Sequence, residues 1–215
     1  MLNKIFDPQN AFWQFVGKAP HVLALSVCWF VLCIPIVTIV PATIALYDAV
    51  SRNLRPDIPG IYKRFFRTFV KELGRGALLS ILWAVITYLL WYGFAVIVWQ
   101  AQTDPDMETW SLVYQVSLMI PVGVFLWMTA LESRFVYGFF GLLKNSLAFF
   151  FGYLPYTLVM LVITAVCLLA CYFVIPLVFF MPAILMLLLS FPVEKLFAKM
   201  IAEKEAAENP QPEEN

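Results

Sequence analysis

The only imidazole in this chain is His21, and its only thiols are Cys28, Cys33, Cys167 and Cys171. Cys167 and Cys171 stand at i, i+4, on one face of a helix, as a metal-binding pair would. No histidine or carboxylate lies near them in sequence, so they read instead as small side chains packing between helices. All four thiols lie inside apolar runs and are expected to stay reduced. With a single histidine, a Ser/His or Cys/His catalytic pair has almost nothing to work with. No GxxxxGKS or GxGxxG loop occurs, so ATP binding is not expected. The chain is therefore expected not to be an enzyme and to carry no catalytic, cofactor or metal site.

Two other groups of residues carry possible function. Pro35 and Pro41 flank Thr38 and stand close to Thr43 within an apolar run. Prolines break helical hydrogen bonding, and unwound backbone at membrane depth occurs where it lines a cavity or is buried by protein. Pro35, Thr38, Pro41 and Thr43 thus form a candidate substrate site at a broken helix. The second group is basic: Lys63, Arg64, Arg67 and Lys71 oppose a helical stripe of Ile61, Phe65, Phe66, Phe69, Val70 and Leu73. Such a helix lies in the headgroup layer, either as a topology determinant on anionic lipid or as a docking surface for a cytoplasmic partner. Lipid headgroups are a nearer source of phosphate than nucleic acid, and no nucleic-acid partner is expected.

Asp48, Glu132 and Arg134 sit at the margins of apolar runs. A carboxylate at bilayer centre costs about 3 kcal/mol, so interfacial positions, with Glu132 and Arg134 partly solvated, are favoured over an ion path.

The elements that must position these residues follow from composition. Of 215 residues 62% are hydrophobic and 13% charged, against roughly 45–50% and about 25% in a soluble domain. A chain of this length cannot bury that excess in its own core, whereas lipid removes the problem. The expectation is an all-α polytopic membrane protein with about five transmembrane helices and one or two interfacial amphipathic helices. Its single membrane domain covers 1–202, with spans at about 20–47, broken at Pro35/Pro41, and at 76–99, 110–131, 153–174 and 176–193. Pro121 suggests a kink in the third of these, and 135–151 is the second interfacial candidate. Residues 203–215, acidic and carrying two prolines, read as a disordered cytoplasmic tail. The mixed, aromatic start, with Phe6, Phe12, Trp13 and Phe15, does not read as a cleaved signal.

Loop charges set orientation. Residues 51–75 are rich in Arg and Lys and should face the cytoplasm, whereas 101–109 carry acids without a base and should lie outside. The first apolar region is long for one span and short for two. One long broken span is favoured, with a re-entrant hairpin as the alternative; the single span puts the N-terminus outside, although Lys4 and Lys18 prefer the cytoplasm.

Several segments together resemble the YesL family of bacterial membrane proteins: NAFWQF (Asn10 to Phe15), LCIPIVTIVPATIALY (Leu32 to Tyr47), KRFFRTFVKELGRGALLSILW, and SRF followed by LLKNSLAFFFGYLP. Val40 stands where glycine is common in that family, and GLLKN (Gly141 to Asn145) is less polar than usual. The resemblance implies a multi-pass protein of the bacterial cytoplasmic membrane, an accessory of carbohydrate or oligosaccharide uptake by ABC importers. The lipid bilayer and importer permease subunits are then the expected partners. A small transporter using the broken first helix is the alternative, and a lipid-interacting assembly factor a third.

Overall fold

The computed structural model of the chain describes residues 11–54, 58–102, 106–135 and 137–208. Every regular element among them is helical: α1 (Ala11–Leu32), α2 (Ile39–Ala49), α3 (Ile61–Ala101), α4 (Asp106–Ser117), α5 (Met119–Arg134), α6 (Phe139–Gly152), α7 (Leu154–Phe173) and α8 (Met181–Glu208). Short 3-10 turns at Ile36–Thr38 and Ile175–Phe179 and a π turn at Val50–Leu54 join some of them.

The first apolar region does not cross as one broken span; it doubles back. Trp29 Nε1 donates to Thr43 Oγ1 at 3.2 Å across 14 residues, which a straight helix would hold about 21 Å apart at 1.5 Å per residue. α1 and α2 are therefore the arms of a helical hairpin. The reversal falls at Cys33–Thr38 because Pro35 has no N–H and pushes Ile34 out of the helical region. Thr38 closes it by donating its hydroxyl to the carbonyls of Leu32 and Pro35. Pro41 breaks nothing: it sits in the first turn of α2, where a missing N–H is harmless.

α3 then runs antiparallel to α2. Val40 meets Ser80 and Asp48 meets Arg64, while His21 Nδ1 lies 2.9 Å from Tyr62 Oη. The start of α1 consequently stands at the same end of the bundle as the basic start of α3. This hairpin has the geometry of the re-entrant alternative, and it brings the α1 arm alongside the first turns of α3.

The basic helix is not a separate interfacial element. α3 is continuous for 41 residues, about 61 Å at 1.5 Å per residue, or twice a hydrocarbon core of about 30 Å. Its buried stripe, Ile61, Phe65, Phe69, Glu72, Gly76, Leu79 and Ser80, faces the α2 side at helical spacing. Its far half is largely exposed, with Trp91 at 71% and Trp99 at 69%, an apolar surface suited to lipid.

α4 and α5 return along α3, fixed by Tyr114 Oη donating to the Leu90 carbonyl at 2.8 Å and by Trp83 against Phe125. The two are one helix interrupted only at Leu118, which keeps helical dihedrals and bonds to the Tyr114 carbonyl at 3.1 Å, one turn before Pro121, which cannot donate to the Ser117 carbonyl. The segment 135–151, expected as the second interfacial helix, contains α6, which packs on α5 and bends at Tyr153 into α7.

Three helices are long and apolar enough to cross a membrane: Ile61–Ala101, Thr109–Arg134 and Leu154–Phe173. The expected spans 76–99, 110–131 and 153–174 fall within them or nearly coincide. The expected span 176–193 instead begins as a 3-10 turn and continues as α8. Much of α8's apolarity serves the core: Ala183, Met186, Leu189, Val193 and Leu196 form a buried stripe. Ser26 ties α1 to the start of this helix, donating to the Phe180 carbonyl at 3.2 Å and accepting from the Ala183 amide at 3.1 Å. α8 runs on to Glu208, so 203–208 are helical where disorder was expected. Ala and Glu are strong helix formers there, and Lys199 pairs with Glu203 at 3.7 Å. Residues 209–215 lie outside the described residues.

Candidate functional site

The hairpin residues spend their polar groups on its own architecture. Thr38 is bonded as above, and Thr43 donates to the Ile39 carbonyl at 2.7 Å while accepting from Trp29. Pro35 leads into the 3-10 turn with φ −75°. Pro41 packs on Gly76, where a β-carbon would come within 2.9 Å of the pyrrolidine ring. A cavity of about 870 Å³ lies beside the reversal, between Ile36, Ile39, Val40, Trp83, Trp91 and Phe125; none of Pro35, Thr38, Pro41 or Thr43 lines it. Its wall is almost wholly apolar, suited to hydrocarbon and not to a hydroxyl-rich solute.

The four basic residues divide. Lys63 and Arg67 are exposed. Arg64 turns inward, donating from Nε to Asp48 Oδ2 at 2.9 Å. Lys71 Nζ lies 3.1 Å from Glu72 Oε1, with its side chain 64% exposed. Tyr62, Phe66, Val70 and Leu73 are exposed beside them. The stripe seen in sequence therefore splits: Ile61, Phe65 and Phe69 enter the core, whereas Phe66, Val70 and Leu73 share the outer face with the lysines.

Beneath that outer face lies a buried ionic network that sequence reasoning did not assemble. Asp48, in the last turn of α2, accepts from Arg64 and from Thr68 Oγ1 at 2.8 Å, and Arg52 Nε stands 3.0 Å from Oδ1. Two guanidiniums offset both this carboxylate and the negative end of the helix dipole. Arg52 also donates to the Ser133 carbonyl at 2.8 Å, joining the π turn to α5. A turn further along α3, Arg75 donates to Glu72 Oε2 at 3.3 Å, to Glu132 Oε1 and to the Tyr137 carbonyl. At the end of α5, Arg134 Nε donates to Glu194 Oε1 at 3.1 Å.

Asp48 and Glu132 are thus at the margins of apolar runs, as expected, but inside protein: they are 5% and 7% exposed. Glu132 is buried rather than partly solvated, and Arg75 reaches its Oε1 from α3. Arg134 is the exposed member. Glu72 and Arg75, read only as loop charges, are the residues missed. One signal was present: Glu72 falls three residues after Phe69 on the buried stripe. Cys167 is buried and Cys171 partly so, and among the described residues no group of three or more His, Cys, Asp or Glu side chains could hold a metal.

A long helix with an exposed apolar half, a re-entrant hairpin and charges gathered at one end define an all-α helical protein of membrane type. Residues 22–94, the hairpin together with most of α3, match the model of a family described as "Protein of unknown function, DUF624". No curated protein and no solved structure matches the chain.

Proposed function

We propose that this is a non-enzymatic multi-pass protein of the bacterial cytoplasmic membrane that acts as an accessory subunit, docking a membrane partner through the outer face of the first half of α3. One observation carries the reading. Lys63, Phe66, Arg67 and Val70 are exposed together on a segment that is continuous with a membrane-length helix and clamped to α2 from behind. A surface of this kind offers aromatic anchors ringed by charge, as protein interfaces do. A carbohydrate ABC importer as the partner rests on the YesL resemblance, whose most specific segment, PIVTIVPATIALY, lies within the matched region 22–94.

The transport reading is less well supported. The hydroxyls proposed to meet substrate are already bonded within the hairpin, and the neighbouring cavity is apolar. A photo-crosslinker placed at Val70 and activated in native membranes tests the docking proposal. Adducts with importer permease subunits are the expected result, and adducts with lipid alone would overturn it.

A further inference from the structure

We propose that Glu72 and Glu132 form a single proton-binding site at the joint between α3 and α5, with one proton held between the two carboxyls. Both residues are buried, 3% and 7% exposed. They share one guanidinium, since Arg75 spends one nitrogen on both and another on the Tyr137 carbonyl.

Hydrogen-bond accounting supplies the argument. Glu72 Oε1 has Lys71 and Glu72 Oε2 has Arg75. Glu132 Oε1 has Arg75, but Glu132 Oε2 is buried with no partner. An ionised carboxylate only accepts, so an orphaned buried oxygen costs its full desolvation. A proton on that oxygen turns it from acceptor to donor and removes the repulsion between two anions gathered on one guanidinium nitrogen.

The surrounding charges do not supply an alternative. Asp48 is held by Arg52 and Arg64, and Glu194 by Arg134. Lys71 is mostly exposed and its ion pair is with Glu72. A metal cation fits poorly, because sodium- or calcium-like ions need a shell of oxygens, about six to eight for calcium, and here a guanidinium fills the space between the carboxyls. Because Arg75 also holds Tyr137 at the start of the α5–α6 link, the proton tunes how firmly that link grips α3. Losing it leaves two anions on Arg75, with only the mostly exposed Lys71 to offset the second.

Infrared difference spectroscopy of the purified full-length protein across a pH series tests this. The expected result at neutral pH is one carboxylic-acid carbonyl band. It should shift on labelling with carboxyl-13C glutamate, disappear at alkaline pH, be absent in Glu132→Gln and Glu72→Gln, and persist in Asp48→Asn. The labelled wild-type protein decides the matter even if a variant does not fold. No labelled acid band at neutral pH would overturn the proposal, as would a band surviving in both glutamine variants. A band abolished by sodium or calcium at fixed pH would assign the pair to a metal cation and overturn it equally.

Discussion

Pro41 lies against the bare α-carbon of Gly76, so close that a β-carbon there would sit 2.9 Å from two atoms of the proline ring. Close approach of this kind is how helices pack where lipid offers no hydrophobic drive between them, and small residues make it possible. It also locks α2 to α3 just where the hairpin and the apolar stretch of α3 meet.

Gly76→Val should therefore destabilise the protein by about 1–3 kcal/mol through overpacking. Gly74→Ala, two residues away with open space around its α-carbon, should be neutral or gain up to about 1 kcal/mol from helix propensity. Unfolding of both variants in mixed micelles, monitored by tryptophan fluorescence, makes the comparison. Equal effects would mean that the Pro41 contact does not exist.

The hairpin fixes sidedness. In a chain with Cys28, Cys33, Cys167 and Cys171 replaced, single cysteines at Lys18 and Lys63 should react with an impermeant maleimide from the same face of oriented vesicles. One at Gln102 should react from the opposite face. Labelling of positions 18 and 63 from different faces would restore the single broken span.

Asp48 and Arg64 should be strongly coupled. A double-mutant cycle of Asp48→Asn and Arg64→Gln is expected to return about 1.5–3 kcal/mol, the range for a hydrogen bond to a buried charge. Arg52 remains to shield Asp48 in the single variant, which places the result toward the lower end. A value of about 0.2–1 kcal/mol, typical of exposed pairs, would show that water reaches the site.

Lys63→Glu with Arg67→Glu should leave stability within about 0.5 kcal/mol, because both side chains are exposed surface. The same double variant should lose whatever subunits the wild-type protein captures from native membranes in mild detergent. Undiminished capture would move the docking surface elsewhere.

What the sequence made legible was local. The apolar run 153–174 reads as a helix because its length and the break near Pro176 are local features. The reversal at Cys33–Thr38 was marked by Pro35, but its direction was not, since it depends on Trp29 finding Thr43 and on α3 packing alongside. Glu72 and Glu132 meet 60 positions apart, across two helices, and neither residue's neighbours in sequence announce the other. The stripe in α8 shows the converse difficulty. Leu189 and Val193 look like membrane residues by hydropathy, yet protein and not lipid covers them.

Every residue from Val40 to Ala49 in α2 is buried, and the helices that enclose it include α3, α5 and α8. All three of these emerge from the ribosome after α2 does. The segment that ends at the centre of the molecule is thus made before these three neighbours and must wait for them. Until α5 arrives, Glu132 is not there to share Arg75; until α8 arrives, Ser26 has no amide to hold. Assembly in the membrane must close around the hairpin from its later neighbours, and truncation before α8 should leave the hairpin exposed to membrane proteases.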